Sequence, residues 1–104
     1  MANDLSSKLN FYLATSRLAS SLSNVVGGCP VRRFRVIEPE HPMREGSLSV
    51  PREQDALYVI DEYSFVPVFQ AKPDGIYQII NGVPLKTKFA WEPEEIDAIR
   101  RQVA

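Results

Sequence analysis

The fold is decided by the stretch LYVIDEYSFVPVFQAKPDGIYQIINGVPLKTKF, residues 57–89. Its apolar runs are interrupted at residues 62–64, at Lys72-Pro73-Asp74-Gly75 and at Asn81-Gly82. Proline and glycine supply the backbone angles of tight turns, and Asn-Gly is the strongest short signal for a β-hairpin. The stretch therefore predicts an antiparallel meander with strands at 57–61, 65–71, 76–80 and 83–89.

The two hairpin turns also predict which side chains share a face of this sheet. A two-residue Asn-Gly turn pairs Ile80 with Val83 and Gln78 with Leu85, and side chains alternate between the faces along each strand. One predicted face holds Val66, Val68, Ile76, Ile80, Val83, Leu85 and Phe89. The other holds Phe65, Phe69, Tyr77 and Ile79. Because both faces are apolar, the sheet needs two covers or closure into a barrel.

A helix is expected before the sheet, from about residue 4 to about residue 26. Asn3 or Asp4 suits its N-cap, and Gly27-Gly28 suits its end. Its apolar residues form two groups at helical spacing, which are Leu5, Leu9, Tyr12 and Leu13, and Phe11, Leu18, Leu22, Val25 and Val26. Either the helix bends near residues 15–16 and both halves pack on one core, or the second group contacts another chain. We expect the second face of the sheet to lie under this helix or under another chain.

A second helix is predicted at about 93–103, because Pro93, Glu94 and Glu95 suit a helix N-terminus. Ile96, Ile99 and Val103 give it one apolar stripe, and Trp91 is expected at the corner between strand and helix.

Between the two helices, Val31–Ile37 reads as a strand with Arg33 and Arg35 on one side and Phe34 and Val36 on the other. Residues 38–56 form a long connection in which a short strand near 47–50 is an open alternative. Pro67 cannot donate a ladder hydrogen bond, so its strand is expected at an edge or bulged there.

These elements predict one α+β domain over residues 1–104: a four- to five-stranded antiparallel meander, at about 31–89, flanked by a long N-terminal and a short C-terminal helix. A small SH3-like barrel over residues 31–89 is the alternative, since closure also handles a sheet with two apolar faces.

Composition limits the partners. The 104 residues carry 12 Lys and Arg against 13 Asp and Glu, so a net charge of −1 gives no long-range attraction to nucleic acid or anionic lipid. No run of apolar residues is long enough to span a membrane, so no membrane partner is expected. The single cysteine, Cys29, excludes an intramolecular disulfide and favours a reducing compartment, so a cytoplasmic location is expected.

Few residues suggest chemistry. His41, the only histidine, stands near carboxylates in a proline-rich loop, but a metal site usually needs three or four ligands. Cys29 follows two glycines at the expected negative end of a helix, which disfavours a thiolate, and we expect it to be a small buried side chain. No phosphate loop, Cys-x-x-Cys pair or Ser-His-Asp pattern is present. We therefore expect no catalytic residue, no metal site and no cofactor.

The favoured functional interpretation is a small non-enzymatic protein-binding module, an adaptor or inhibitor, that forms a homodimer or other homo-oligomer. This expectation depends on the apolar surface of the first helix and of the second sheet face, which exceeds what one core needs. The predicted interface residues are Phe11, Leu18, Leu22, Phe65, Phe69 and Tyr77. The alternative is a single-stranded nucleic-acid binder that uses Arg32, Arg33, Arg35, Lys86 and Lys88. The arginines would otherwise pair with Glu38, Glu40, Asp61 or Glu62.

Overall fold

The computed structural model describes residues 3–44 and 46–103, and describes side chains for residues 9–24, 26–29, 31–44, 46–92, 94–99 and 101. Over this range the chain forms α1 (Asn3–Leu22), β1 (Asn24–Val26), β2 (Cys29–Arg32), β3 (Phe34–Ile37), β4 (Leu57–Asp61), β5 (Pro67–Lys72), β6 (Gly75–Ile80), β7 (Val83–Lys86) and α2 (Pro93–Val103). The expected packing of Leu5, Val25 and Val103 lies outside the described side chains.

The predicted α+β class is confirmed. Strands β3 to β7 form a five-stranded antiparallel meander in sequence order, while β1 and β2 form a separate hairpin. The barrel alternative is not adopted, because β3 and β7 lie at opposite edges of the sheet. The open sheet is covered on one face by both helices.

The N-terminal helix ends four residues earlier than predicted, at Leu22. Ser23 then donates its Oγ–H to the carbonyl of Ala19 and accepts the N–H of Phe34, which ties the helix end to the first strand of the sheet. Gly27 and Gly28 both have positive φ and form the turn of the β1–β2 hairpin instead of a helix stop. The signal was in the sequence, because a Gly-Gly pair that follows β-branched valines favours a tight hairpin turn.

The register of β5 differs from the prediction by one residue. Lys72 pairs with Gly75, so the turn has two residues, Pro73 and Asp74, and Phe69 lies opposite Gln78. A one-residue shift moves each side chain to the other face. Phe69 is therefore on the same face as Ile76, and its predicted grouping with Tyr77 was wrong.

The bulge expected at Pro67 is present. Val59 pairs with Phe69 and Ile60 pairs with Pro67, so Val68 is an extra residue on β5. Val68 packs against the helix-covered core, as predicted for that side chain. The Asn81-Gly82 turn also has the predicted register, with Ile80 opposite Val83, and positive φ at both turn residues.

Two apolar cores hold the sheet. The first lies between the sheet and the helices, and its buried members are Leu18, Ala19, Leu22, Val59, Phe69, Ile76, Ile96 and Ile99. The second lies on the opposite face, and its buried members are Ile37, Met43, Ala56, Tyr58 and Ile60. Ile79 packs at the edge of this second core, and so does Leu48 from the 38–56 connection.

The second face was expected to lie under the N-terminal helix or under another chain. Phe69 does pack with the helix residues Leu18 and Leu22, but Ile79 packs on the opposite face, so a helix cover for that face was wrong. The second face is covered by the 38–56 connection, which contains no regular strand among its described residues. A long proline-containing segment can cover a sheet because side chains, rather than backbone periodicity, exclude the water. Met43, Leu48 and Ala56 supply these side chains.

Candidate functional site

Helix α1 has one buried and one exposed apolar face. Leu18 and Leu22 are buried in the first core together with Thr15, whose hydroxyl donates to the carbonyl of Phe11 across 2.7 Å. On the outer side, Leu9, Tyr12 and Leu13 are 58%, 41% and 47% exposed. Their spacing of i, i+3 and i+4 places them side by side. We call these three residues the α1 outer face.

An aromatic contact supports α1 beside this outer face. The ring of Phe11 meets the ring of Trp91 edge-on at a centroid distance of 5.3 Å, and the indole N–H donates to the carbonyl of Lys72. Trp91, expected at the corner between strand and helix, thus contacts α1 and the end of β5. Leu13 also lines an open groove of about 440 Å³ between α1 and α2, together with Arg17 and Ile96.

The predicted interface residues do not form one surface. Leu18, Leu22 and Phe69 are buried in the helix-covered core, so in this conformation they are closed to a partner. Phe11 is half-buried against Trp91. The remaining two residues, Phe65 and Tyr77, lie in a turn and on the second sheet face. The exposed apolar residues of α1, Leu9, Tyr12 and Leu13, belong to the group from which no interface residue had been predicted.

The predicted basic cluster is divided between opposite edges of the sheet. Arg35 lies on edge strand β3, whereas Lys86 ends the other edge strand, β7, and Lys88 follows it. Four strand spacings separate these edges, a distance of about 19 Å. Lys86 and Lys88 therefore do not extend the arginine cluster.

Two of the three predicted arginines form ion pairs with acidic residues at the β4 end. Arg32 Nε lies 3.2 Å from Asp61 Oδ2, and Arg33 Nε lies 3.5 Å from Glu62 Oε2. The guanidinium of Arg35 instead lies over the ring of Phe65, 5.9 Å from its centroid. The pairing with Asp61 and Glu62 is the one considered from the sequence.

Asp61 organises the turn between β4 and β5. Its Oδ1 accepts the N–H groups of Tyr63 and Ser64, and its Oδ2 accepts the Nε–H of Arg32. Burial acts to raise the pKa of Asp61, but the N–H groups of Tyr63 and Ser64 and the guanidinium of Arg32 together outweigh this and hold the pKa below its usual value. The carboxylate is thus a structural cap held in its charged form.

A polar network crosses the second face beside the 38–56 connection. The Gln70 amide donates to Glu53 Oε2 and to the Tyr58 hydroxyl, and Tyr58 also accepts the Glu53 N–H. Lys72 Nζ donates to Glu53 Oε1 across 2.8 Å, which raises the pKa of Lys72 although its partial burial acts against this. The hydrogen bonds that join Glu53 to Tyr58, Gln70 and Lys72 hold the 38–56 connection against the sheet.

Tyr77 continues this network at its exposed end. Its hydroxyl donates to Asp74 Oδ2 across 3.0 Å, and Lys72 Nζ lies 5.3 Å from its ring centroid. Burial and the bond to Asp74 both raise the pKa of Tyr77. Tyr77 therefore contributes to local structure and is partly buried.

Cys29 and His41 lie in different parts of the fold. Cys29 is exposed in the β1–β2 hairpin, so the expectation of a buried thiol was wrong, because the hairpin turn lifts it away from the helix end. His41 lies in the 38–56 connection, where its carbonyl accepts a hydrogen bond from Arg52. Among the described residues, no three His, Cys, Asp or Glu side chains are grouped in a way that could hold a metal ion.

Neither of the two described helices combines the length and the apolar character that crossing a membrane would require. No protein-family model, no curated protein and no solved structure matches the chain. The functional argument therefore rests on the surfaces of the chain itself.

Proposed function

We propose that this chain is a non-enzymatic protein-binding module that self-associates through the α1 outer face. The single observation that carries the proposal is the exposure of Leu9, Tyr12 and Leu13 as one apolar strip on a helix. Contiguous apolar strips of this kind are typical of interaction surfaces, whereas single exposed apolar side chains are ordinary. A cytoplasmic location for the module remains part of the proposal, on the basis of its single cysteine.

A second copy is the occupant that suits the strip. Residues 9–16 carry no charged side chain, so the strip itself offers only apolar and neutral polar groups to a second copy, and the basic residues Lys8 and Arg17 flank it. The neighbouring residues Ala14 and Ser16 are small, which allows two helices to approach closely. A charged partner would find no complementary charge within this segment.

Light scattering after size-exclusion chromatography tests the proposal. At about 50 µM, a concentration that detects micromolar affinity, we expect a dimer mass for the wild-type chain. Leu13→Glu should yield a monomer, because a half-exposed position tolerates the charge in the monomer but not in a closed interface. Its thermal midpoint should equal that of the wild-type chain diluted until it is monomeric, since association stabilises only the dimer.

Leu85→Glu is the matched control. Leu85 is 50% exposed on β7 and is the same residue type as Leu13, at nearly the same exposure. The Leu85→Glu variant should remain a dimer. A wild-type monomer at this concentration would refute self-association, and equal loss of the dimer in both variants would remove α1 as its site.

A further inference from the structure

Phe65 occupies a conformation that suits glycine or asparagine better than an aromatic residue. Its φ is +58°, in the left-handed region where a bulky side chain is rare. The ring gains little burial in return, since the residue is 39% exposed. A strained residue that does not serve the core points to a role for its side chain at the surface.

The turn around Phe65 is held from both sides. The Phe65 N–H donates to the carbonyl of Asp61, and the Phe65 carbonyl accepts the N–H of Arg44 across 2.8 Å. Asp61 also accepts the N–H groups of Tyr63 and Ser64. The ring is therefore presented by a fixed backbone, not by a loose loop.

Two arginines are associated with Phe65. Arg35 lies over it, and Arg44 is joined to its backbone from the 38–56 connection. Tyr63, two residues away in the same turn, is 67% exposed. We call Arg35, Arg44, Tyr63 and Phe65 the aromatic–arginine surface.

Arg35 and Arg44 bring two positive charges to this surface, while Glu45 follows Arg44 in the sequence and the chain as a whole is slightly negative. Asp61 and Glu62 neutralise the adjacent Arg32 and Arg33. Among the described residues, no carboxylate lies within ion-pair distance of Arg35 or Arg44. The chemistry of this surface is therefore defined by the Arg35 guanidinium over the Phe65 ring, by the exposed Tyr63 in the same turn, and by Arg44, whose backbone is joined to that of Phe65.

We propose that the aromatic–arginine surface binds single-stranded nucleic acid. Unpaired bases stack on exposed aromatic rings, and guanidinium groups bind phosphate in a bidentate manner and also stack on bases. An acidic peptide would bind the guanidinium groups, but it would give no reason for an exposed aromatic ring on a strained backbone. This surface is separate from the α1 outer face. Of the sequence-based basic cluster it keeps only Arg35, and it adds Arg44 and the two aromatic residues.

Fluorescence anisotropy with a labelled deoxythymidine dodecamer tests the proposal on the full chain. At about 50 mM salt we expect binding that weakens as salt is raised, because phosphate contacts release counterions. Phe65→Asn should weaken binding about tenfold, since the ring is lost. Its thermal midpoint should be unchanged or higher, because asparagine tolerates positive φ.

Arg35→Gln should weaken binding by a similar factor, whereas Lys86→Gln, at the other sheet edge, should change it less than about twofold. Absence of binding at low salt overturns the proposal, and so does wild-type binding by Phe65→Asn or an equal loss with Lys86→Gln. Competition by polyglutamate as strong as that by unlabelled oligonucleotide would also overturn it, in favour of an acidic protein partner.

Discussion

The backbone N–H of Ser49 donates to the carbonyl of Gly82 across 2.7 Å, so the 38–56 connection is joined to the tip of the last hairpin. A Cβ on Gly82 would lie 2.7 Å from Ser49 Oγ and 3.0 Å from the Ser47 carbonyl oxygen. A glycine is therefore required at position 82 for two reasons. Its φ is positive in the turn, and the 38–56 connection packs against the place that a Cβ would occupy.

We expect Gly82→Ala to be more destabilising than an ordinary substitution at positive φ. Gly28→Ala is the matched control, because Gly28 has φ +81° beside +79° for Gly82, but a Cβ on Gly28 would meet no atom within 4 Å. Backbone strain alone should cost about 1 kcal/mol in Gly28→Ala. The added clash should bring Gly82→Ala to about 2–4 kcal/mol by urea denaturation. Equal losses would show that the connection does not press on the turn.

Arg52, near the end of the 38–56 connection, forms hydrogen bonds with residues near its start. Its Nη1 donates to the carbonyls of Pro39 and His41 across 3.0 and 2.8 Å. Arg52→Met should remove about 1 kcal/mol of local stability and speed tryptic cleavage after Arg44 about fivefold. Mass spectrometry of the first cleavage products measures this rate. Arg101→Met, on α2, should leave the rate unchanged, and the same acceleration in both variants would contradict the role of Arg52.

Asp61 should make the fold sensitive to acid. Its folded-state pKa lies below its ordinary value of 3.8, so its contribution to stability is present above that pH and is lost as the pH falls through the lower folded value. Asp61→Asn should lower the unfolding free energy at pH 7 by about 1–3 kcal/mol and reduce the further loss between pH 5 and about pH 2. Urea titrations at each pH measure both effects.

Asp97→Asn, at an exposed position on α2, is the control for Asp61→Asn. It should leave the acid profile of the wild type unchanged. If the profile of Asp61→Asn is as steep as that of the wild type, the acid sensitivity arises from another carboxylate.

Lys72 and Tyr77 should make the fold sensitive to alkali. The pKa of each is raised, Lys72 by its bond to Glu53 and Tyr77 by burial and its bond to Asp74. Stability from both groups is present below their ordinary pKa values of 10.5 and 10.0 and is lost as the pH rises through the raised values. Tyr77→Phe should reduce the decline of the thermal midpoint above pH 10, as followed by circular dichroism. Tyr63→Phe, at an exposed position, should not.

The candidate surfaces were only partly predictable. The sequence grouped Leu9, Tyr12 and Leu13 on one face of a helix, but spacing alone does not show which of two apolar groups meets the sheet. Arg44 was placed in a structureless connection, and only the folded chain brings its N–H to the Phe65 carbonyl. Such contacts between residues distant in sequence have no local signal.

By itself, the sequence determined the elements whose causes are local. Proline and glycine positions set the turns, Asn81-Gly82 fixed one register, and the charges and apolar stripe of residues 93–103 specified α2. The tertiary structure decided the register at Pro73-Asp74, because two- and three-residue turns both fit that sequence, and only packing of Phe69 with Ile76 under the helices selects one. It also decided that the 38–56 connection covers the second face, since covering requires apolar side chains at the right place in space and no periodic pattern along the chain.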